Sequence, residues 1–346
     1  MKRALLSMIA ALTVATTMAQ EPTNGTTYFL PKTALRVTLL IEKTSYTPGE
    51  FAQYAGRYMK KTDVSLTPTQ TYRIINTNIT PIGVPDSTKR FTLNMDKKFS
   101  ITRAERDESG VLLAINTAGR RTQLPKEFKA APKAPTLNPN EFMTEEILTA
   151  GSKAKMAELC AKEIYDVREN RNLLSRGQAE FMPNDGDQMR LMMQSLNTQE
   201  RALMQLFEGV TVRDTTETVV TYIPTKEVSD DLLFRFSKSF GFTDNDDLSG
   251  EPYYISIVDL KTATGTGDEA GKKVKDDVGL HVNLPGKIKA TISKDGNDIK
   301  SCETFAAQFG NTETMSGDLF GKKQSCSIVL NPVTGGIEKI ESKELD

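Results

Sequence analysis

Apolar residues recur at every second position over two long stretches of this chain, and between them, from Asn138 to about Phe207, the period becomes that of a helix. Period two demands sheets with one buried face, and period 3.6 demands a helix face that needs a partner. That switch predicts an α+β protein, two β-rich modules flanking a central antiparallel helical hairpin. The expected boundaries are 20–137 for an N-terminal β-rich module with one helix, 138–209 for the hairpin and 210–346 for the C-terminal β-rich module.

Residues 1–19 read as a signal peptide. Met1, Lys2 and Arg3 give a basic start, Ala4 to Val14 a short apolar run, and Thr17, Met18 and Ala19 a small-residue cleavage site before Gln20. The mature chain is expected to be exported to the periplasm or cell envelope, or beyond it. No later apolar run approaches the roughly 18 residues of a membrane span, so no transmembrane segment is expected after signal removal.

In the first module, Leu35, Val37, Leu39 and Ile41 alternate in a strand over 26–43, with Pro31 marking an edge or a kink. Thr47-Pro48-Gly49-Glu50 has the form of a capping box opening a helix of about 49–60. Phe51, Tyr54, Ala55, Tyr58 and Met59 form an aromatic stripe on that helix, read as core beside the preceding strand, with ligand stacking as the alternative. Gly56 inside the helix suggests close backbone packing. Short strands follow between Thr71 and Ala118, punctuated by Pro81, Pro85 and the turn at Asp107 to Gly110, and 119–139 is a proline-containing connector.

Within the helical region, Asn138-Pro139-Asn140-Glu141 repeats the capping logic, Gly177 is placed to end one helix, and Pro183 to Gly186 turns into the next, which restarts near Asn197 or Thr198 with Glu200. Met189, Met192, Met193 and Met204 cluster there, as hairpin packing or as an adaptable partner groove. Beyond Gly209, strands are expected at 210–212, 218–223, 232–236, 253–258, 279–284, 287–292 and 325–330. A loop without core-forming residues spans Thr262 to Asp277, and Ser293 to Gly296 makes a hairpin turn. Leu30-Pro31 is echoed, with a one-residue shift, by Leu284-Pro285; related modules and coincidence both account for it.

The chemistry available is narrow. His281 is the sole histidine, which excludes any site needing two imidazoles, and alternation with Val278, Leu280, Val282 and Leu284 puts it on the polar face of a strand. Asp244, Asp246, Asp247 and Glu251 miss calcium-loop spacing because Leu248 stands at the fifth position, and Asn184, Asp185 and Asp187 fit a turn more simply. Gly265-Thr266-Gly267 lacks the context of a dinucleotide fingerprint. Cys160, Cys302 and Cys326 show no zinc or redox spacing; an oxidising compartment permits a Cys302–Cys326 bridge, and three buried thiols are the alternative. A formal net charge of −1 provides no field for nucleic acid, and the absence of tryptophan removes a common sugar-stacking residue. No catalytic, cofactor-binding or metal-ligating residue is nominated.

Three runs, Tyr28 to Thr33, Tyr46 to Ala52, and Lys155 to Leu159 continuing through Ile164 to Glu169, resemble an exported family of Bacteroidota, one of the domain-of-unknown-function families. The resemblance spans essentially the mature chain. It implies source, export and a single-family architecture, and no activity. It also implies that O-glycans could be attached at Asp-Ser/Thr steps, here at Ser87 in Asp86-Ser87-Thr88 and at Thr215 in Asp214-Thr215-Thr216, both expected in surface turns.

The functional expectation is therefore an exported, non-catalytic envelope or surface protein that binds an unknown protein or glycan. A carboxylate- or serine-based hydrolase acting on envelope polymers or glycans is the alternative, and a structural spacer the third possibility.

Overall fold

The computed structural model describes residues 25–344 except 97, 134, 264–276 and 323. The expected leader at 1–19, Gly265 to Gly267 and nearly all of the predicted loop at 262–277 lie outside the described residues. Among the described residues, twelve strands run in chain order as β1 (Gly25–Thr47), β2 (Thr69–Asn94), β3 (Ala104–Arg106), β4 (Leu112–Ile115), β5 (Val210–Tyr222), β6 (Val228–Ser237), β7 (Gly241–Thr243), β8 (Glu251–Asp259), β9 (Asp277–Lys294), β10 (Asn297–Ser316), β11 (Gln324–Leu330) and β12 (Ile337–Glu344). Between β4 and β5 lie α1 (Glu145–Leu148), α2 (Lys153–Ser175) and α3 (Gly186–Glu208).

This corrects the expected α+β class. With 48% strand against 22% helix and three antiparallel sheets, the protein is mostly β. The strands on either side of the helices also do not form separate modules. The sheets are ordered β2-β1-β5, β10-β9-β8-β6-β7 and β12-β11-β4-β3, so the first sheet carries β5 from beyond the helices and the third joins β4 to β11. Alternation reports which face of a strand is buried and says nothing about its partner, which is why local pattern could not show this interleaving.

Two cores result. Leu35, Val37, Leu39 and Ile41 of β1 face Phe234, Ile255, Ile257, Ile288 and Ile292 across a larger sandwich made by the first two sheets. Tyr28 and Leu30 of the same strand, with Leu93, Val278, Leu280 and Val282, pack on Leu112, Ile115, Ile328 and Leu330 of the third sheet in a smaller one. At about 3.3 Å per residue, β1 would stretch roughly 75 Å if straight, far beyond the usual strand, and it is long because it serves both cores.

The long hairpins β1–β2 and β9–β10 kink at matching places. In the first, register steps from Phe29 opposite Arg90 to Pro31 opposite Pro85, so Leu30 alone faces residues 86–89. In the second it steps from Leu284 opposite Asn311 to Gly286 opposite Ala306, so Pro285 alone faces residues 307–310. A bulge thus falls at each Leu-Pro step, on the leucine in the first hairpin and on the proline in the second. These steps do not open two separate modules.

Prolines misled the reading of β2, which runs unbroken through Pro81 and Pro85 where short strands were expected. It is the outermost strand of its sheet, so a missing N–H on the free side removes no ladder bond. The predicted helix at 49–60 is instead a 3₁₀ turn (Ala52–Tyr54) running into a π turn (Ala55–Met59), ended by Lys60 in the left-handed region at φ 60°. Its capping box does not form, because Thr47 remains paired with Val210 in the sheet. Close backbone packing falls on Gly49, where a β-carbon would collide with the carbonyls of Gln205 and Leu206, and Gly56 meets only ordinary contacts. The aromatic stripe is core, with Phe51 and Phe207 rings 5.6 Å apart, but its partners are α2 and α3.

Helix ends follow their caps. Ser152 and Asp185 accept from the backbone N–H groups of Lys155 and Gln188, and Gly177 at φ 69° follows the end of α2. Asn138 caps only a 3₁₀ turn (Pro139–Phe142), and α3 passes through Asn197 and Thr198 without a restart.

Candidate binding cleft

Residues 86–89 and 307–310 do more than bend their strands, since each bulge reaches across to the other hairpin's kink. Lys89 of the first donates to the side-chain oxygens of Asn283 at 3.1 Å and Thr312 at 2.8 Å. Gln308 of the second accepts from the Thr33 N–H at 2.9 Å and donates to the Thr33 carbonyl at 2.8 Å, while the Ala307 N–H donates to the Thr33 hydroxyl. Asn283 and Thr33 are fully buried, and all these groups are paired, as polar atoms in a core require. Burial pushes the Lys89 ammonium below the usual lysine range, partly offset by nearby Asp86.

This polar waist sits near one end of an open flank. β2 and β10 are the outermost strands of their sheets, and side chains from both line two hollows. One, of about 390 Å³, lies among Ile74, Ile75, Thr77, Tyr253, Ile299 and Lys300. The other, of about 410 Å³ and largely apolar, lies among Pro81, Leu284, Pro285, Phe305, Val333 and Ile337, with Glu338 at its edge. Phe305 is 51% exposed and Ile299 43% exposed. Glu338 accepts from the Asn331 amide at 2.8 Å and stands 3.8 Å from the mostly exposed Arg120.

Sequence reasoning missed this flank because it missed β10, although the signal was present. The predicted hairpin turn is real, with Asp295 and Gly296 both in the left-handed region at φ 51° and 74°, and such a turn requires a returning strand.

The groups singled out from sequence serve structural ends. His281 is half-buried; its ring stacks on Phe91 at 3.8 Å, and its backbone N–H donates to the Tyr28 hydroxyl at 2.7 Å. Asp247 accepts from the Ser249 N–H, the chief cause of its lowered pKa, and Glu251 is held low by its ion pair with Lys294. Asp185 is a helix cap. Glu200 binds Arg168 and Arg171, tying α3 to α2. Among the described residues no cluster of histidine, cysteine, aspartate and glutamate is arranged to hold a metal ion.

Of the methionines, Met204 is buried in the helical core, Met189 and Met193 are half-buried and Met192 is exposed. All three thiols are free, with Cys302 against the larger core and Cys326 inside the smaller. Ser87 is exposed in the 86–89 bulge, where Asp86 accepts from Thr88. Thr215 lies within β5 opposite Glu42 and not in a turn.

Among the described residues, no helix is long and apolar enough to cross a membrane. Comparison with curated proteins and with solved structures returned no match. Residues 24–338 match the family model described as Domain of unknown function (DUF4831), and the chain belongs to that family.

Proposed function

We propose that this protein is an exported, non-catalytic interaction protein of the bacterial cell envelope, of the kind the Bacteroidota resemblance implies, and that it binds another envelope macromolecule along the flank between β2 and β10. Export rests on the leader-like residues 1–19. Binding rests on one observation. The free edge of β10 presents exposed Ile299 and Phe305 on the walls of two hollows shared with β2, one of which reaches the larger core at Tyr253. Concave apolar surface with a few charged groups at its margins is the usual form of a recognition site.

The test is capture from envelope extracts, with a glycan array in parallel, using the wild-type protein and the Phe305→Asp and Ile299→Asp variants. Both side chains are exposed, so the variants are expected to fold. The reading predicts a reproducible partner or glycan signal that both variants lose. No signal, or a signal indifferent to both changes, overturns it.

A further inference from the structure

We propose that the occupant of this flank is an extended polypeptide strand from a partner protein, added to the free edge of β10 and running antiparallel to it. The proposal rests on the binding role given above and names the class of partner. From Lys300 to Phe305, β10 keeps an unbroken register with β9, contains no proline and is exposed or half-buried throughout, so its outer edge forms a continuous template. β2 is the poorer template, with an irregularity at Ile75 and prolines at 81 and 85. It serves as the facing wall.

Direction follows from topology. Ile74 to Thr77 share a hollow with Ile299 and Lys300, and Pro81 shares the next with Thr304 and Phe305, so the two walls run the same way. A strand opposed to one is opposed to both, and antiparallel addition is the more stable ladder.

Charge sets the pattern the strand must carry. Lys300 is exposed at one end of the flank, and Glu338, held loosely by Arg120, stands at the other. Between them Glu303 is neutralised by Lys287 at 2.6 Å. Running antiparallel to β10, the incoming strand meets Glu338 with its N-terminal part and Lys300 with its C-terminal part. A basic residue is therefore required near its start and an acidic one near its end, with apolar side chains between to fill the hollows.

The probe is a short fluorescent peptide of alternating valine and threonine with lysine near the N-terminus and aspartate near the C-terminus, beside a second with the two charges exchanged. Fluorescence anisotropy should show the first binding about tenfold more tightly. Lys300→Glu combined with Glu338→Lys should reverse the preference, and Phe305→Ala should weaken binding of the first peptide.

Equal binding of both peptides sinks the charge pattern. Tighter binding of both by Lys300→Glu would make Lys300 a guard against pairing, and would also overturn the proposal. If neither peptide binds while envelope capture still depends on Phe305, the strand proposal falls and the binding role stands. If capture is also indifferent to Phe305, both fall.

Discussion

The side-chain amide of Asn283 donates to the carbonyl oxygen of Pro31 at 3.0 Å, joining strands 252 positions apart at the point where both hairpins kink. The same amide donates to the Thr334 carbonyl at 2.8 Å, and its oxygen receives Lys89 and Thr312. Four bonds converge on one fully buried side chain.

Replacing Asn283 with alanine strands the buried Pro31 and Thr334 carbonyls, while the Lys89 ammonium keeps its bond to the Thr312 hydroxyl. Each group left unpaired costs about 1–3 kcal/mol, so Asn283→Ala should destabilise the protein by about 3 kcal/mol or more. Urea unfolding at neutral pH measures this, and a loss below about 1 kcal/mol would show that water repairs the waist.

Stability should fall at alkaline pH. Burial, reinforced by a 2.8 Å bond to the Asp231 carboxylate, pushes the Tyr222 hydroxyl up to about 12. Its stabilising contribution is fully present below the unfolded tyrosine pKa of about 10 and is lost as pH rises toward the folded value. Tyr28, raised by burial, acts in the same direction. Lys89 opposes them, because its lowered pKa makes its contribution less unfavourable as pH climbs toward the ordinary lysine value. Urea midpoints of wild type and Tyr222→Phe across this range should show a shallower decline in the variant, and parallel declines would refute the assignment.

Cutting the connector should leave the protein intact. Residues 123–133 are exposed and hold to β5 through the Phe128 N–H on Glu217 and the Lys133–Asp214 pair. Because β1 pairs with β5 and β4 with β11, limited proteolysis there should give two fragments on a denaturing gel that elute together in native gel filtration. Separate elution would restore the picture of independent modules.

Thiol chemistry should distinguish the three cysteines. Burial pushes the Cys160 thiol up to about 12 and raises that of Cys302, while Cys326 is buried. Native alkylation should modify only half-buried Cys302, and slowly, with all three reacting after unfolding. A mass two hydrogen atoms lighter, with Cys302 and Cys326 joined, would contradict the free thiols.

Local chemistry was legible where it decides local structure. The Asp295-Gly296 turn and the Gly177 stop each follow from a residue's backbone preference. Pairing was not legible, because Ile41 carries the same alternation whether its neighbour is β5 or any other strand. Thr47 shows the same conflict on a smaller scale, since a good capping sequence lost to a sheet bond with Val210. The cleft depended on partners as well, since Phe305 becomes a wall only once Pro81 is brought opposite it.

A strand that enters both cores imposes an order of assembly. While the chain is being made, Gly25–Thr47 can pair with β2 at once, but one end stays half-clothed until β5 arrives and the other until Gln324–Leu330 emerges behind it. Such late, distant closure makes for slow folding and a prolonged period of exposed apolar surface. Losing a few dozen residues from the far terminus would therefore harm the earliest-made strand.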